Sequence, residues 1–137
     1  MAKITIKARY NETDQMGVIY HANYLNWFTL GRDALFEELE VDYRELEEEG
    51  IYLPVSEVNC KYIKSAKYND QIEIEAEIKE FRGVKLTISY NIYRDNELLA
   101  KGYSIHGFVN REMKPIILKR THLIWHEKLM NAKKSSF

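Results

Sequence analysis

Between Ile72 and Ile92 the chain alternates with a step of two. Ile72, Ile74, Ala76 and Ile78 are separated by Glu73, Glu75, Glu77 and Lys79, and Val84, Leu86, Ile88, Tyr90 and Ile92 continue the same rhythm. That period places every second side chain on one face of an extended strand, so each strand has one apolar and one polar face. Arg82 and Gly83 stand where a hairpin would join the two runs, which makes them antiparallel. A sheet of this kind needs an apolar partner to cover it, and the chain offers one. Over residues 22–40, Tyr24, Trp27, Phe28, Gly31, Leu35 and Leu39 recur at helical spacing, while Leu25, Leu30, Ala34 and Phe36 widen the apolar surface beyond a single stripe. A helix apolar on so many sides is expected to be enclosed by protein. The expectation is an α+β fold, a curved antiparallel sheet wrapped around one long helix.

The remaining elements fit round this pair. Residues 3–10 read as a first strand, with Ile4 and Ile6 two apart, and residues 11–17 as an irregular loop. Residues 42–50 form a short acidic helical turn that stops at Gly50. Val58, Cys60 and Tyr62 alternate as a strand. Turns are expected at Tyr68–Asp70 and at Asp95 and Asn96, with residues 98–109 extended after the second. Residues 121–131 can close the chain as an amphipathic helix, Thr121 serving as N-cap. Gly31, mid-helix, costs about 1 kcal/mol relative to alanine, and close approach of another backbone would explain it. At 137 residues, without repeats or linkers, the chain reads as one domain over 1–137.

Composition removes several function classes. With 20 basic and 21 acidic residues the net charge is −1, so there is no cationic excess to bind a nucleic-acid backbone. The single cysteine, Cys60, cannot form an internal disulfide and reads as a small buried thiol. His106, His122 and His126 show no metal-ligand spacing, and no metal is expected. There is neither a signal peptide nor an apolar stretch of transmembrane length, so the expectation is a cytoplasmic protein without membrane insertion. Ten tyrosines suggest core packing in a strand-rich protein first, and a partly wet pocket or a subunit interface second.

Chemistry has one candidate place, the polar loop of residues 10–21 between the first strand and the apolar helix. Asp14 would lie just ahead of the helix amino terminus, where free N–H groups and the positive end of the dipole collect. Such a terminus stabilises a developing oxyanion, and a carboxylate beside it can activate water or attack directly. From spacing alone, Asp14 reads first as a turn-shaping residue, His21 as a structural one and Tyr10 as packing. No Ser-His-Asp order, HExxH or phosphate-binding glycine loop appears.

The run RYNETDQMGVIYHANYLNWFTLGRDALFEELE, residues 9–40, resembles the 4-hydroxybenzoyl-CoA thioesterase family, especially its Tol-Pal-associated bacterial acyl-CoA thioesterase branch. Tyr10, Thr13, Asp14, Gly17, Tyr20, His21, Asn23 and Tyr24 fall on that family's pattern without a gap, and KYIKSAKYNDQIEIEAEI resembles its Asp-led strand. The resemblance implies a hotdog fold and hydrolysis of an acyl-CoA or acyl carrier protein thioester. Asp14 then matches the catalytic carboxylate, His21 the helix-start residue whose amide meets the thioester carbonyl, Tyr10 a pocket tyrosine and Tyr24 a substrate contact. Arg82 and Lys85 match basic groups offered to the nucleotide phosphates. It further implies a homo-oligomer, a dimer or a dimer of dimers (a homotetramer), and no cofactor, since coenzyme A belongs to the substrate. Alternatives are a non-catalytic acyl-CoA or acyl-carrier binding module and a hotdog dehydratase.

Overall fold

The computed structural model describes residues 1–135. Five strands, β1 (Ala2–Lys7), β2 (Val55–Tyr62), β3 (Gln71–Phe81), β4 (Lys85–Arg94) and β5 (Glu97–Gly107), form one sheet. Their order is β1-β3-β4-β5-β2, and every neighbouring pair is antiparallel. The helices are α1 (Asn23–Glu38), α2 (Tyr43–Glu48), α3 (Leu118–Thr121) and α4 (Leu123–Ser135).

The alternation decides which face is covered. Ile72, Ile74, Ala76 and Ile78 on β3 and Leu86, Ile88, Tyr90 and Ile92 on β4 are all buried, and the register sets Ile74 against Ile92 and Ile78 against Ile88. Each fully buried isoleucine contributes about 1.5–3 kcal/mol. Helix α1 lies over β3, β1 and β4, presenting Trp27, Phe28, Gly31 and Leu35 to them. Gly31 is required by a close approach, although of a side chain and not of a backbone: a Cβ there would stand 2.8 Å from Ile74 Cγ2. The β3–β4 hairpin turns at Gly83, φ 83°. The β4–β5 hairpin turns at Asp95 and Asn96, whose φ values of 50° and 65° are the left-handed pair that a two-residue turn demands.

Several expectations are corrected. The first strand ends at Lys7, and Tyr10–Glu12 form a single 3-10 turn. Helix α1 is enclosed on one side only: Leu30 is exposed and Leu25 and Ala34 are half-buried. Because α1 sits over β3, β1 and β4, the rim strand β2 is left open; Val58 and Tyr62 are exposed and Cys60 is half-buried, not buried. Val84 belongs to the hairpin and faces solvent. Thr121 ends α3 and donates its hydroxyl to the Ile117 carbonyl at 3.4 Å, so it is not the N-cap of α4. Tyrosines do little of the core packing: Tyr24 and Tyr90 are buried, whereas Tyr10, Tyr20, Tyr62 and Tyr68 are exposed, their hydroxyls being better served at a wet boundary.

One polar chain crosses the core. Arg32 Nη1 donates to the Tyr90 hydroxyl (3.1 Å), Tyr90 bonds Ser104 Oγ (2.6 Å), Ser104 bonds His106 Nε2 (2.8 Å), and His106 Nδ1 meets the Leu53 carbonyl (3.2 Å). A guanidinium only donates and a carbonyl only accepts, so the two ends set the direction of every link and put the neutral imidazole's proton on Nδ1. Burial pushes His106 down to about 4, and the Arg32 charge acts in the same sense.

Candidate active site

Residues 9–22 leave β1 and return to the start of α1 as a loop built around Glu12, a carboxylate that is only 6% exposed. Glu12 Oε1 accepts from the Arg9 amide at 2.7 Å and Oε2 from the Trp27 indole at 2.9 Å. Its carbonyl accepts from the Tyr20 amide and from Asn23 Nδ2, both at 2.8 Å. One residue thereby ties the outgoing chain, the returning chain and the helix together.

Asp14 sits at the tip of this frame. Its Oδ1 accepts from the amides of Met16 (2.8 Å) and Val18 (3.4 Å), while its own amide donates to the Val18 carbonyl at 2.8 Å. Gly17 closes the turn at φ 81°. The aspartate therefore does shape a turn, but with one oxygen; Oδ2 has no hydrogen-bond partner among the described residues. The carboxylate lines a cavity of 280 Å³ together with Val18, His21, Tyr24, Tyr62 and Ser65. A larger hollow of 520 Å³ between α1 and α2 is lined by Asp33, Glu37, Glu40, Asp42 and Glu45 and contains none of the expected site residues.

The helix terminus beside Asp14 is open. Ala22 occupies the N-cap without a side-chain cap. The amides of Asn23, Tyr24 and Leu25 are taken by the carbonyls of Tyr20, His21 and Ala22 at 2.9, 3.3 and 3.1 Å, whereas the amides of His21 and Ala22 have no partner among the described residues. Two free N–H groups at the positive end of a 16-residue helix make a site for negative charge. The His21 ring is exposed, resting on Tyr20 with centroids 4.4 Å apart and edge-on to Tyr62 at 6.3 Å.

Two tyrosines brace this corner. Tyr62 donates to the His21 carbonyl at 2.8 Å; desolvation, with the Cys60 thiol alongside, pushes its phenol up to about 12, so it stays a donor. Tyr24 accepts from the Ala66 amide at 3.0 Å and packs edge-on against Tyr62, and burial raises its phenol above the ordinary value. Arg94 reaches from β4 to Asp70 (2.8 Å) and to the Ser65 carbonyl (3.3 Å), fixing the segment that forms the cavity's far wall.

Of the residues singled out by sequence, Asp14, His21 and Tyr24 meet at one cavity. Tyr10 does not line it; it is 76% exposed and lies edge-on to Tyr68. Arg82 and Lys85 flank the β3–β4 hairpin, where Arg82 pairs with Glu80. The loop joins the other end of β3, through Ala8 to Asp70 and Ile19 to Ala66, so about 30 Å of strand separates the two within one chain. Glu12 and Tyr62 were missed. Glu12 gives no signal beyond its place inside the motif, and Tyr62 is in phase with Cys60 but nothing in the sequence links it to His21. Among the described residues no three His, Cys, Asp or Glu side chains are grouped to hold a metal ion.

The family profile of the thioesterase-like superfamily matches residues 8–131. The chain belongs to that superfamily. This places it among thioester hydrolases with the hotdog-type fold. YneP of Bacillus subtilis is 38% identical over 136 residues, covering 98% of this chain and 99% of its own. The acyl-CoA thioester hydrolase YbgC of Escherichia coli O157:H7 is 28% identical over 69% of this chain and 71% of its own. Among solved structures, the DHNA-CoA thioesterase of Staphylococcus aureus superposes with a TM-score of 0.92 at 32% identity, covering 97% of this chain and 91% of that one. Among the described residues no helix is long and apolar enough to cross a membrane.

Proposed function

We propose that this thioesterase hydrolyses the thioester of an acyl-CoA, with Asp14 as general base and the amides of His21 and Ala22 as the oxyanion site. Asp14 takes a proton from a water that attacks the thioester carbonyl. The carbonyl oxygen becomes an oxyanion facing the two free N–H groups, and collapse of the tetrahedral adduct breaks the C–S bond. The departing thiolate regains the proton from Asp14, leaving a free thiol and a carboxylic acid. The observation that carries this reading is the 280 Å³ cavity lined by both Asp14 and His21, the residue that leads directly into the uncapped start of α1. The dipole and the two donors are present before substrate arrives, the arrangement that lowers a barrier without reorganisation. His21 and Tyr24 then orient the acyl-thioester, and no cofactor is needed beyond the coenzyme A of the substrate. An acyl carrier protein thioester is the other source of the same bond.

Within the superfamily we place the chain in the 4-hydroxybenzoyl-CoA thioesterase family, beside its Tol-Pal-associated bacterial branch, acting in the cytoplasm as a dimer or a dimer of dimers. The open face of β2, with Val58 and Tyr62 exposed, supports self-association. Thiol release from a panel of aliphatic and aromatic acyl-CoA thioesters tests the activity. Asp14→Asn should lower kcat by about 10²–10⁴-fold while the protein still folds and still binds substrate. Turnover by that variant at the wild-type rate would refute the role of Asp14.

A further inference from the structure

The charges of this chain are unevenly placed. From Lys114 onward stand six of its 20 Lys and Arg residues but only one of its 21 Asp and Glu, so a near-neutral total combines an acidic body with a basic end. Helices α3 and α4 fold that end against the β3–β4 hairpin. The Leu118 amide donates to the Gly83 carbonyl at 3.2 Å, and a Cβ on Gly83 would lie 3.3 Å from the His126 ring. Here Lys119, Arg120, Arg82 and Lys85 are exposed, together with Val84, Leu123 and Ile124, the last 80% exposed. Glu80, paired with Arg82, and Glu127 are the acidic members. Burial of Trp125, Leu129 and Ala132 already anchors α4, so the fold does not need Leu123 or Ile124.

We propose that this face seats the protein peripherally on an anionic lipid surface. Leu123 and Ile124 enter the headgroup region, and Lys119 and Arg120, with the hairpin cations, meet the lipid phosphates. Charge complementarity selects this occupant. A second copy docked through the same face would set its cations against identical cations. An acidic carrier protein docked there would stand at the opposite end of β3 from the Asp14 cavity of the same chain. The inference is independent of the hydrolytic mechanism.

Co-sedimentation of the full chain with vesicles of phosphatidylcholine, alone or mixed with phosphatidylglycerol, tests it. Binding is expected only to the mixed vesicles and should weaken as salt rises. Lys119→Gln and Arg120→Gln should each lower the binding constant about fivefold, and Ile124→Ser about tenfold, with melting temperatures unchanged because all three side chains are exposed. The charge and apolar variants alter different residues, so a folding defect in one leaves the other decisive. Equal binding to both vesicle types, or wild-type binding by either class of variant, overturns the proposal. So does self-association in the absence of lipid that Ile124→Ser abolishes, or binding of an acidic carrier protein that Lys119→Gln and Arg120→Gln abolish while vesicle binding persists.

Discussion

Glu12 illustrates how a single buried side chain can govern a site it does not line. Both carboxylate oxygens and the carbonyl are engaged, so the loop that carries Asp14 and the helix that begins after His21 are held in one frame. Glu12→Gln keeps the size but offers an amide where an acceptor is needed, opposite either the Arg9 amide or the Trp27 indole. The expected result is a fall in kcat on the order of tenfold or more, with KM little changed, because a displacement of the base near 1 Å costs about 10²-fold. Trp27→Phe removes the indole donor and leaves a buried carboxylate oxygen unpaired, which should cost about 1–3 kcal/mol in denaturant unfolding. A Glu12→Gln enzyme with unchanged kcat would mean that the loop is held by other contacts.

At the scale of the elements, legibility follows periodicity. β3 and β4 are readable because one face is buried residue by residue, and α1 because six of its residues recur at helical spacing and are buried. What escaped reading depends on contacts distant in sequence: the open rim at β2, the end of β1 at Lys7, and the split between α3 and α4. The candidate site was partly legible for the same reason. Asp14, His21 and Tyr24 lie within eleven residues of one another and share a loop and a helix start, whereas Tyr62 and Ser65 reach the cavity only through the tertiary fold. Gly31 is an element-scale determinant as well. Helix propensity favours Gly31→Ala by about 1 kcal/mol, yet the new methyl would stand 2.8 Å from a branched, fully buried Ile74. Overpacking should win, with a net loss of about 1–2 kcal/mol that shrinks in an Ile74→Ala background; a stabilised Gly31→Ala would show that α1 can lift from the sheet without penalty.

Across the whole molecule, the chain from Arg32 through Tyr90, Ser104 and His106 to Leu53 couples α1, β4, β5 and the segment before β2. Its histidine sits at about 4 in the fold, below the ordinary 6.5. The unfolded chain therefore binds a proton that the native state refuses as pH falls through that interval. Stability is greatest above pH 6.5 and declines toward pH 4, by up to ~3 kcal/mol for this one group. Denaturant midpoints measured between pH 7 and 4 should fall more steeply for the wild type than for His106→Gln, and parallel slopes would assign the acid sensitivity to other groups.

The two tryptophans are each held by a carboxylate, Trp27 by Glu12 beside the cavity and Trp125 by Glu49 where α4 meets the body. The molecule thus carries a pair of intrinsic fluorophores, one at each of its two working regions. With Trp125 replaced by phenylalanine, the remaining emission reports the loop around Asp14 alone. With Trp27 replaced instead, it reports the seating of the C-terminal helix. Occupancy of one region can in this way be followed optically while the other stays dark.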